Sequence, residues 1–248
     1  MYHYSWFQLL SPAIHAIEAL GGSHDDAIRV VTAWGVCLLL LLGAVIARAG
    51  FGAVSSAEGY VPAARFNLTN AVELFVQAIL GIVEPVVGKE DARRYFWLLG
   101  GTFLFIFTCN VSALFPGLLP PTDNINTNLA MALVVVSVYV FEGVRRTGMH
   151  FFKHLLGPIW WISPLVFTIE AAGVFLIRPM SLSIRLFANI NGDHIVFGVM
   201  SDLVPVLVPT IFLAFGLWVS FLQAFVFTLL STIYISLSVA HEDDGGHH

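Results

Sequence analysis

The fold class follows from one stretch, Ser181-Leu-Ser-Ile-Arg185-Leu-Phe-Ala-Asn189-Ile-Asn-Gly192-Asp193-His194. This stretch places a single arginine inside a run of residues that otherwise has the composition of a membrane-buried helix. A charge at the centre of a bilayer costs at least about 2.5–3.5 kcal/mol on insertion scales. Arg185 is therefore a snorkelling residue near a helix end, a member of a structural ion pair, or part of a polar path.

The residues that follow Arg185 favour the polar path. On an ideal helix, Asn189 lies about 40° and Asp193 about 80° from Arg185, so the three side chains form one stripe. His194 falls on the opposite side of the helix, about 13 Å further along its axis. Polar groups in series through an apolar helix are typical of proton and ion pathways. We therefore expect the stripe to line one cavity and His194 to face another neighbour.

The composition of the whole chain indicates an integral membrane protein. Hydrophobic residues make up 58% and charged residues 11% of the sequence, and the mean hydropathy is +0.85. Soluble domains contain about 25% charged residues, so a soluble class is excluded. We predict an all-α, polytopic membrane protein with a single domain over residues 1–248, in contact with lipid and not with nucleic acid. Cys37 and Cys109 lie in apolar segments, where free thiols are expected.

Apolar runs predict about five transmembrane helices, at residues 30–47, 95–116, 128–143, 160–200 and 209–239. Residues 1–28 are rich in aromatic and polar side chains and predict an interfacial N-terminal segment. Residues 67–88 carry polar side chains at helical spacing and predict one amphipathic helix that lies on the membrane surface or against another helix (Asn70, Glu73, Gln77 and Glu84).

The last two apolar segments are too long for upright spans. Pro209 to Val239 contains 31 residues without a charge, or about 46 Å of helix, against a hydrocarbon core of about 30 Å. Such helices tilt steeply or extend beyond the hydrocarbon. We expect residues 158–240 to form a long helical hairpin.

The distribution of lysine and arginine predicts the orientation. The first and third loops between the predicted spans are basic, whereas the second loop, which holds Pro120 and Pro121, contains neither lysine nor arginine. Because basic loops stay in the cytoplasm, the N-terminus is expected outside and the C-terminus inside.

The last predicted helix has a stripe of small and hydrogen-bonding residues along one face: Gly216, Ser220, Gln223, Phe227, Ser231 and Tyr234. Such a face suits close helix packing, and it also suits a line of water. We expect Gln223 to form a hydrogen bond near Arg185. His150 and His154 have the spacing of two metal ligands on a helix, but no third ligand is near them in sequence. We therefore expect no metal site and no cofactor.

Three blocks of sequence resemble subunit a of the F-type ATP synthases of bacteria. The first is Arg178-Pro-Met-Ser-Leu-Ser-Ile-Arg185-Leu-Phe-Ala-Asn189, and the second is Leu222-Gln223-Ala-Phe-Val-Phe-Thr-Leu-Leu-Ser-Thr-Ile-Tyr234-Ile. The third comprises Phe115-Pro116 and Pro121-Thr-Asp123-Asn-Ile-Asn126-Thr-Asn-Leu-Ala-Met-Ala-Leu. They occur in the order of that family and leave about the first 60 residues without a clear match.

The resemblance implies a proton-translocating stator subunit in the bacterial plasma membrane, with no catalytic site on this chain. It implies two aqueous half-channels that load and unload the carboxylates of a ring of c subunits, with Arg185 between the half-channels. The two long helices would tilt and curve around that ring. The implied partners are the c-subunit ring, the peripheral-stalk b subunits and, indirectly, the soluble ATPase head.

The resemblance also assigns residues to roles. It implies a proton path through Arg185, Asn189, Asp193, His194 and Gln223, and a channel or packing role for Ser181, Glu170, Ser220 and Tyr234. The sequence departs from the family pattern at Gly216, where many relatives carry histidine or glutamate, and at Asp193, where a small residue is common. Asp193 would then supply the polar group that Gly216 lacks. Glu170 resembles a family acidic position, but its spacing to Arg178 is one residue longer.

Two other functional classes remain open from the residues alone. A stand-alone transporter or anion channel would place Arg185 at a substrate site. A structural membrane anchor would hold Arg185 in a fixed ion pair.

Overall fold

The computed structural model describes residues 11–19, 23–50, 68–115, 118–148, 163–203 and 207–240, and every regular element within them is a helix. The chain forms two compact units, Met1–Pro121 and Thr122–His248. The histidine pair His150 and His154, and the first ten and last eight residues of the chain, lie outside the described residues.

The first unit contains four helices: α1 (Ser11–Glu18), α2 (His24–Gly50), α3 (Leu68–Val87) and α4 (Lys89–Ser112). Helix α2 packs against the other three, and α3 also packs against α4. Only Gly88 separates α3 from α4, and it has a φ of 90°, a conformation that side chains with a Cβ rarely adopt. A glycine at this position therefore permits the direct turn between the two helices.

Helix α1 is held on the start of α2 by apolar and polar contacts. Ile14 is buried in a cluster with three residues of α2, Ala27, Ile28 and Val31. The carboxylate of Glu18 lies 2.5 Å from Nδ1 of His24 and 3.0 Å from Nδ1 of His15. Hydrogen bonds from His24 and then from His15 lower the pKa of Glu18 below its ordinary value. The interfacial segment predicted for residues 1–28 thus contains α1 and the first turn of α2.

A 3₁₀ turn (Pro121–Asp123) lies at the boundary between the units, and α5 (Ile125–Thr147) follows it in the second unit. Asn124 caps α5, because its side-chain oxygen accepts from the backbone N–H of Asn126. The buried side chain of Asn128 donates to the carbonyl of Thr122 at 2.8 Å and so joins the turn to the helix. These contacts explain the polar sequence of the third resemblance block as a helix start.

The long segment after α5 is one helical rod with a wide turn inside it. It comprises α6 (Ser163–Ala172), a π-helical turn (Gly173–Ile177) and α7 (Arg178–Leu203). Pro179 lacks an N–H, and its ring crowds the carbonyl four residues before it, so a regular α-helix is unfavourable at this point. The backbone N–H of Arg178 donates instead to the carbonyl of Gly173, five residues earlier.

Helix α8 (Leu207–Ala240) completes the second unit. Helix α7 packs against both α5 and α8, and α5 also packs against α8, so the three helices share one interface. Within the 158–240 segment the structure describes residues 163–203 and 207–240, and both stretches are helical.

Six helices of the described chain are long and apolar enough to cross a membrane. Five of them correspond to the five predicted spans. The sixth is Thr69–Val87, within the helix that we expected to lie on the membrane surface. Length and composition therefore do not distinguish a surface position from a crossing for α3. Large apolar side chains are exposed along α2, as expected for a helix whose solvent is lipid (for example Trp34, Leu38, Leu41 and Val45).

Candidate functional site

Arg185 lies at the boundary between the packed and the exposed side of α7. Leu182 and Leu186 are 1% and 0% exposed, whereas Met180 and Ile184 are 44% and 45% exposed. Arg185 itself is half-buried. Arg185 is therefore partly accessible from the exposed side of α7.

No counter-charge neutralises Arg185 within the part of the chain that the structure describes: it has neither a hydrogen bond nor a salt bridge there. A guanidinium remains protonated at any working pH. The site therefore presents a permanent positive charge inside an apolar helix. The fixed ion pair required by the structural-anchor alternative has no support among the described residues.

Two contacts define the antiparallel register of α7 and α8. Nδ2 of Asn189 donates a hydrogen bond of 2.5 Å to Oε1 of Gln223. The guanidinium carbon of Arg178 lies 5.0 Å from the centre of the Tyr234 ring. Arg178 precedes Asn189 by eleven residues and Tyr234 follows Gln223 by the same interval, so both contacts belong to one register about 16 Å long.

This register places Arg185 level with Phe227, between the two contacts. Phe227 is 1% exposed, and Gln223, one turn further along α8, is 4% exposed. The hydrogen bond that we expected for Gln223 near Arg185 is made to Asn189, one turn from the arginine. The buried Nε2 of Gln223 has no hydrogen-bond partner among the described residues and is left as a donor about one helical turn from the level of Arg185.

The same register, continued by seven residues, places Gly216 level with Val196. Gly216 is buried, and the Ser220 hydroxyl donates to the Gly216 carbonyl at 2.7 Å. Glycine and serine on this face of α8 allow its backbone to approach α7 closely. Gly216, which stands where a histidine or glutamate was expected, is thus a small residue on the buried face of α8.

Asp193 and His194 lie beyond Asn189, on different sides of α7. Asp193 is half-buried and His194 is exposed, as expected from their helical positions. Asp193 lies about 4–5 Å along the axis from the level of Gly216. The polar group of Asp193 and the small residue Gly216 therefore occupy the same region of the α7–α8 pair.

The wide turn changes the side of the helical rod on which Glu170 is expected to lie. Eight residues separate Glu170 from Arg178, which would rotate the two side chains about 80° apart on an uninterrupted α-helix. A π-turn holds one residue more than an α-turn, so the offset approaches the 20° or so that seven α-helical residues would give. Glu170, which is exposed, thus returns to the side of the rod that carries Arg178 and Arg185.

The hydroxyl residues of the site differ in their surroundings. Ser181 is exposed on α7, whereas Ser183 is buried and donates to the carbonyl of Pro179 at 2.6 Å. Ser231 donates to the carbonyl of Phe227 at 2.8 Å. The buried hydroxyls of Ser183 and Ser231 satisfy their own helices, and Ser181 is the one that faces outward.

Sequence reasoning did not select Arg178 or Tyr139 as site residues. The Arg178 guanidinium carbon lies 4.8 Å from the Tyr139 ring of α5 as well as 5.0 Å from the Tyr234 ring of α8. One signal was available, because Arg178 and Arg185 are seven residues apart and share a helix face. Nothing in the sequence connects Tyr139 to them.

No group of three His, Cys, Asp or Glu side chains that could hold a metal ion occurs among the described residues. The surroundings of Arg185 offer its permanent positive charge, the Asp193 carboxyl and His194 imidazole further along α7, and the amide hydrogen bond between Asn189 and Gln223. This set suits the movement of protons more than the binding of a metal ion.

Comparison with known families agrees with this arrangement. The sequence pattern of the ATP synthase A chain matches residues 30–236, which include every residue discussed at this site. The chain belongs to the ATP synthase A chain family. It is 38% identical to the ATP synthase subunit a of Geobacter sulfurreducens over 227 residues, or 91% of this chain and 94% of that protein.

Two further relatives support the same assignment. The ATP synthase subunit a of Trichlorobacter lovleyi is 40% identical over 95% of this chain and 97% of its own length. That of Bdellovibrio bacteriovorus is 37% identical over 80% of this chain and 89% of its own. Membership of the ATP synthase A chain family makes this chain an integral membrane subunit of the proton-translocating sector, and not the catalytic chain, of a multisubunit complex.

Proposed function

We propose that this chain carries protons past Arg185 through two half-channels, each of which reaches the middle of the membrane from one side. The observation that carries the proposal is a half-buried arginine, without a counter-charge among the described residues, at the edge of the exposed face of α7. An ionised carboxylate of a moving partner can approach such a charge from outside. The partner proposed is the ring of c subunits, with peripheral-stalk b subunits and the soluble ATPase head attached to the same complex.

The arginine would act as a barrier as well as an attractant. Because a guanidinium does not give up its proton, it can stabilise a carboxylate that has lost its own proton without taking part in the transfer. Its charge also opposes direct passage of a proton between the half-channels. Protons would therefore cross only when the partner carries them from one half-channel to the other.

The outer half-channel would contain Asn189, Asp193 and His194. In the proposed orientation, with the N-terminus outside and the C-terminus in the cytoplasm, α7 runs outward and these residues lie on the outer side of Arg185. A neutral histidine and a carboxyl group can both relay protons when water reaches them. The hydrogen bond from Asn189 to Gln223 would hold the channel wall next to the arginine.

The inner half-channel would contain Glu170 and Ser181. The wide turn supports a place for Glu170 on the arginine side of the rod, because it absorbs the one-residue excess in its spacing. Ser181 is exposed between Glu170 and Arg185 and offers a hydroxyl for water. The two groups would lead released protons toward the cytoplasm of the bacterial cell.

The test compares Arg185→Lys, Arg185→Ala and the control Arg145→Ala in membrane vesicles that contain the assembled complex. Arg145 is an exposed arginine of α5, 3.7 Å from Glu142. A buried lysine can lose its proton, so Arg185→Lys should reduce ATP-driven proton pumping to below about a tenth. Arg185→Ala should also let protons leak once the ATPase head is stripped, whereas Arg145→Ala should pump normally. Near-normal pumping by Arg185→Lys would refute the proposal.

A further inference from the structure

The second arginine of α7, Arg178, lies between two aromatic rings from two other helices. Its guanidinium carbon is 4.8 Å from the centre of the Tyr139 ring and 5.0 Å from that of Tyr234. Both distances are within the range in which a cation is attracted to the face of an aromatic ring. We call Arg178, Tyr139 and Tyr234 the aromatic clamp. It joins α5, α7 and α8 at one point.

The clamp holds a charge without neutralising it. The buried Nη1 atom of Arg178 has no hydrogen-bond partner among the described residues, and no described salt bridge includes this arginine. Its neighbours Tyr139 and Val174 are buried, so the guanidinium sits against the apolar core of the second unit. In such surroundings the attraction between a cation and an aromatic ring is stronger than at an exposed site.

The clamp and the Asn189–Gln223 hydrogen bond lie on opposite sides of Arg185 in the same register. Arg185 follows Arg178 by two helical turns and precedes Asn189 by one, and all three share a helix face. One contact alone would leave α7 able to rotate or slide by part of a turn against α8. Two contacts about 16 Å apart remove that freedom.

We infer that Arg178 is a positioning residue, which sets the level and rotation of Arg185 through its contacts with Tyr139 and Tyr234. This inference rests on the proposed role of Arg185 for its effect on proton movement, but the register itself can be measured without any transport. The π-turn directly before Arg178 adds to the argument. Its buried residue Val174 packs in one cluster with Tyr139, so the rod contacts the same side chain of α5 directly before the clamp.

The register is tested by disulfide formation between Val196→Cys and Gly216→Cys, after Cys37 and Cys109 have been replaced by alanine. The matched control pairs Val196→Cys with Phe212→Cys, one turn away on α8. In the parent background the first pair should cross-link at least about fivefold faster than the control pair, because a slip of one turn moves the partners by about 5.4 Å. Arg178→Leu or Tyr139→Leu should bring the two rates within about twofold of one another, since neither retains the clamp.

The functional arm uses ATP-driven pumping and passive proton leak, each divided by the amount of assembled subunit. Arg178→Leu should lower pumping at least about fivefold and raise the leak. Arg178→Lys retains a cation for the rings, so its pumping and its leak should both stay close to those of the parent. Tyr139→Phe, which retains an aromatic ring, should likewise pump faster and leak less than Tyr139→Leu. Arg145→Leu serves as the control for loss of an arginine that does not contact the clamp.

The outcomes separate the inference from the proposed function. A preserved cross-linking preference in Arg178→Leu and Tyr139→Leu would overturn the positioning role, whatever the transport result. Loss of the cross-linking preference would uphold the role of Arg178 in the register. If pumping were then normal and no leak appeared, the dependence of transport on Arg185 would be contradicted. If Arg178→Leu fails to assemble, Tyr139→Leu and Tyr139→Phe decide the question in the same two assays.

Discussion

Asn189 donates a 2.5 Å hydrogen bond from Nδ2 to Oε1 of Gln223, across the interface between α7 and α8. Gln223 is 4% exposed, and its own Nε2 has no hydrogen-bond partner among the described residues. The pair therefore leaves one buried amide donor about one helical turn from the level of Arg185, while the bonded amide groups connect the two helices. This hydrogen bond depends on the length of the two side chains as well as on their polarity.

The first prediction concerns that pair. Gln223→Leu leaves the Asn189 amide without its partner in a partly buried position, which costs more than the bond itself contributes. We expect ATP-driven pumping to fall about tenfold, with Asn189→Leu similar and the double variant no worse than either single one. Pumping per assembled complex is the measurement. Additive losses in the double variant would show that the two residues act independently.

The second prediction tests whether Asp193 compensates for Gly216. Asp193→Asn should slow ATP-driven pumping about tenfold without loss of assembly, because an amide cannot relay a proton. Adding Gly216→Glu should restore part of the rate by returning a carboxyl group to the same region. Gly216→Gln, which is similar in size but cannot titrate, is the matched control. Equal recovery with glutamine and glutamate would show that the effect is packing.

The third prediction uses the wide turn. Deletion of Leu176, an exposed residue of the π-turn, should convert it to a regular α-turn and keep Glu170 on the arginine side. We expect pumping within about twofold of the parent. Insertion of one alanine after Ala172 should instead rotate Glu170 by about 100° and lower pumping to the level of Glu170→Gln. Pumping rates of these variants in vesicles provide the comparison. Equal tolerance of the insertion would argue against a role for the position of Glu170.

The fourth prediction separates a surface position from a crossing for α3. Cysteines at Ala49 and Glu90, both exposed, lie at the end of α2 and the start of α4. If α3 lies along the membrane, both should react only with reagents that reach the cytoplasm. The assay is labelling of intact cells and of inverted vesicles, in a background without Cys37 and Cys109. Labelling of the two sites from opposite sides would show that α3 crosses.

The fifth prediction concerns the pH dependence of α1 docking. Hydrogen bonds from His24 and His15 lower the pKa of Glu18 from its ordinary value of 4.5. Because the folded-state pKa is the lower one, the stabilisation is complete above pH 4.5 and is lost as the pH falls through the folded-state pKa. Amide exchange of Ala19, corrected for its intrinsic rate, should therefore accelerate over that range. In Glu18→Gln, the Ala19 amide should exchange faster at neutral pH and show no acceleration as the pH falls. In Asp25→Asn, its exchange should follow that of the parent.

The helices and the central arginine were predictable because they depend on local composition. Uncharged runs of sufficient length predict spans, and the observed helices extend a few residues beyond most of those runs. The first predicted span, for example, lies within α2, which begins at His24, where Asp25 and Asp26 suit the positive end of the helix dipole. Arg185 is conspicuous for the same local reason, since a charge in an apolar segment is costly.

The exact course of the rod from α6 to α7 was not predictable in the same way. Pro179 indicated a distortion, but a proline can be accommodated by a kink, a break or a wide turn. The π-turn is a choice among backbone conformations of similar energy, decided by packing against the rest of the unit. It determines which side of the rod Glu170 occupies, and the residue spacing alone suggested another side.

The sequence by itself determined that this chain crosses a membrane, that it carries an arginine in an apolar helix, and to which family it belongs. Tertiary structure alone decided which residues meet that arginine's helix. Asn189 and Gln223 are 34 residues apart, and the ring of Tyr139 comes from a helix with no sequence signal that connects it to Arg178. Hydropathy is a property of each segment, whereas register is a property of two helices packed together. The level of Arg185 against α8 therefore exists only once the side chains of both helices are in contact.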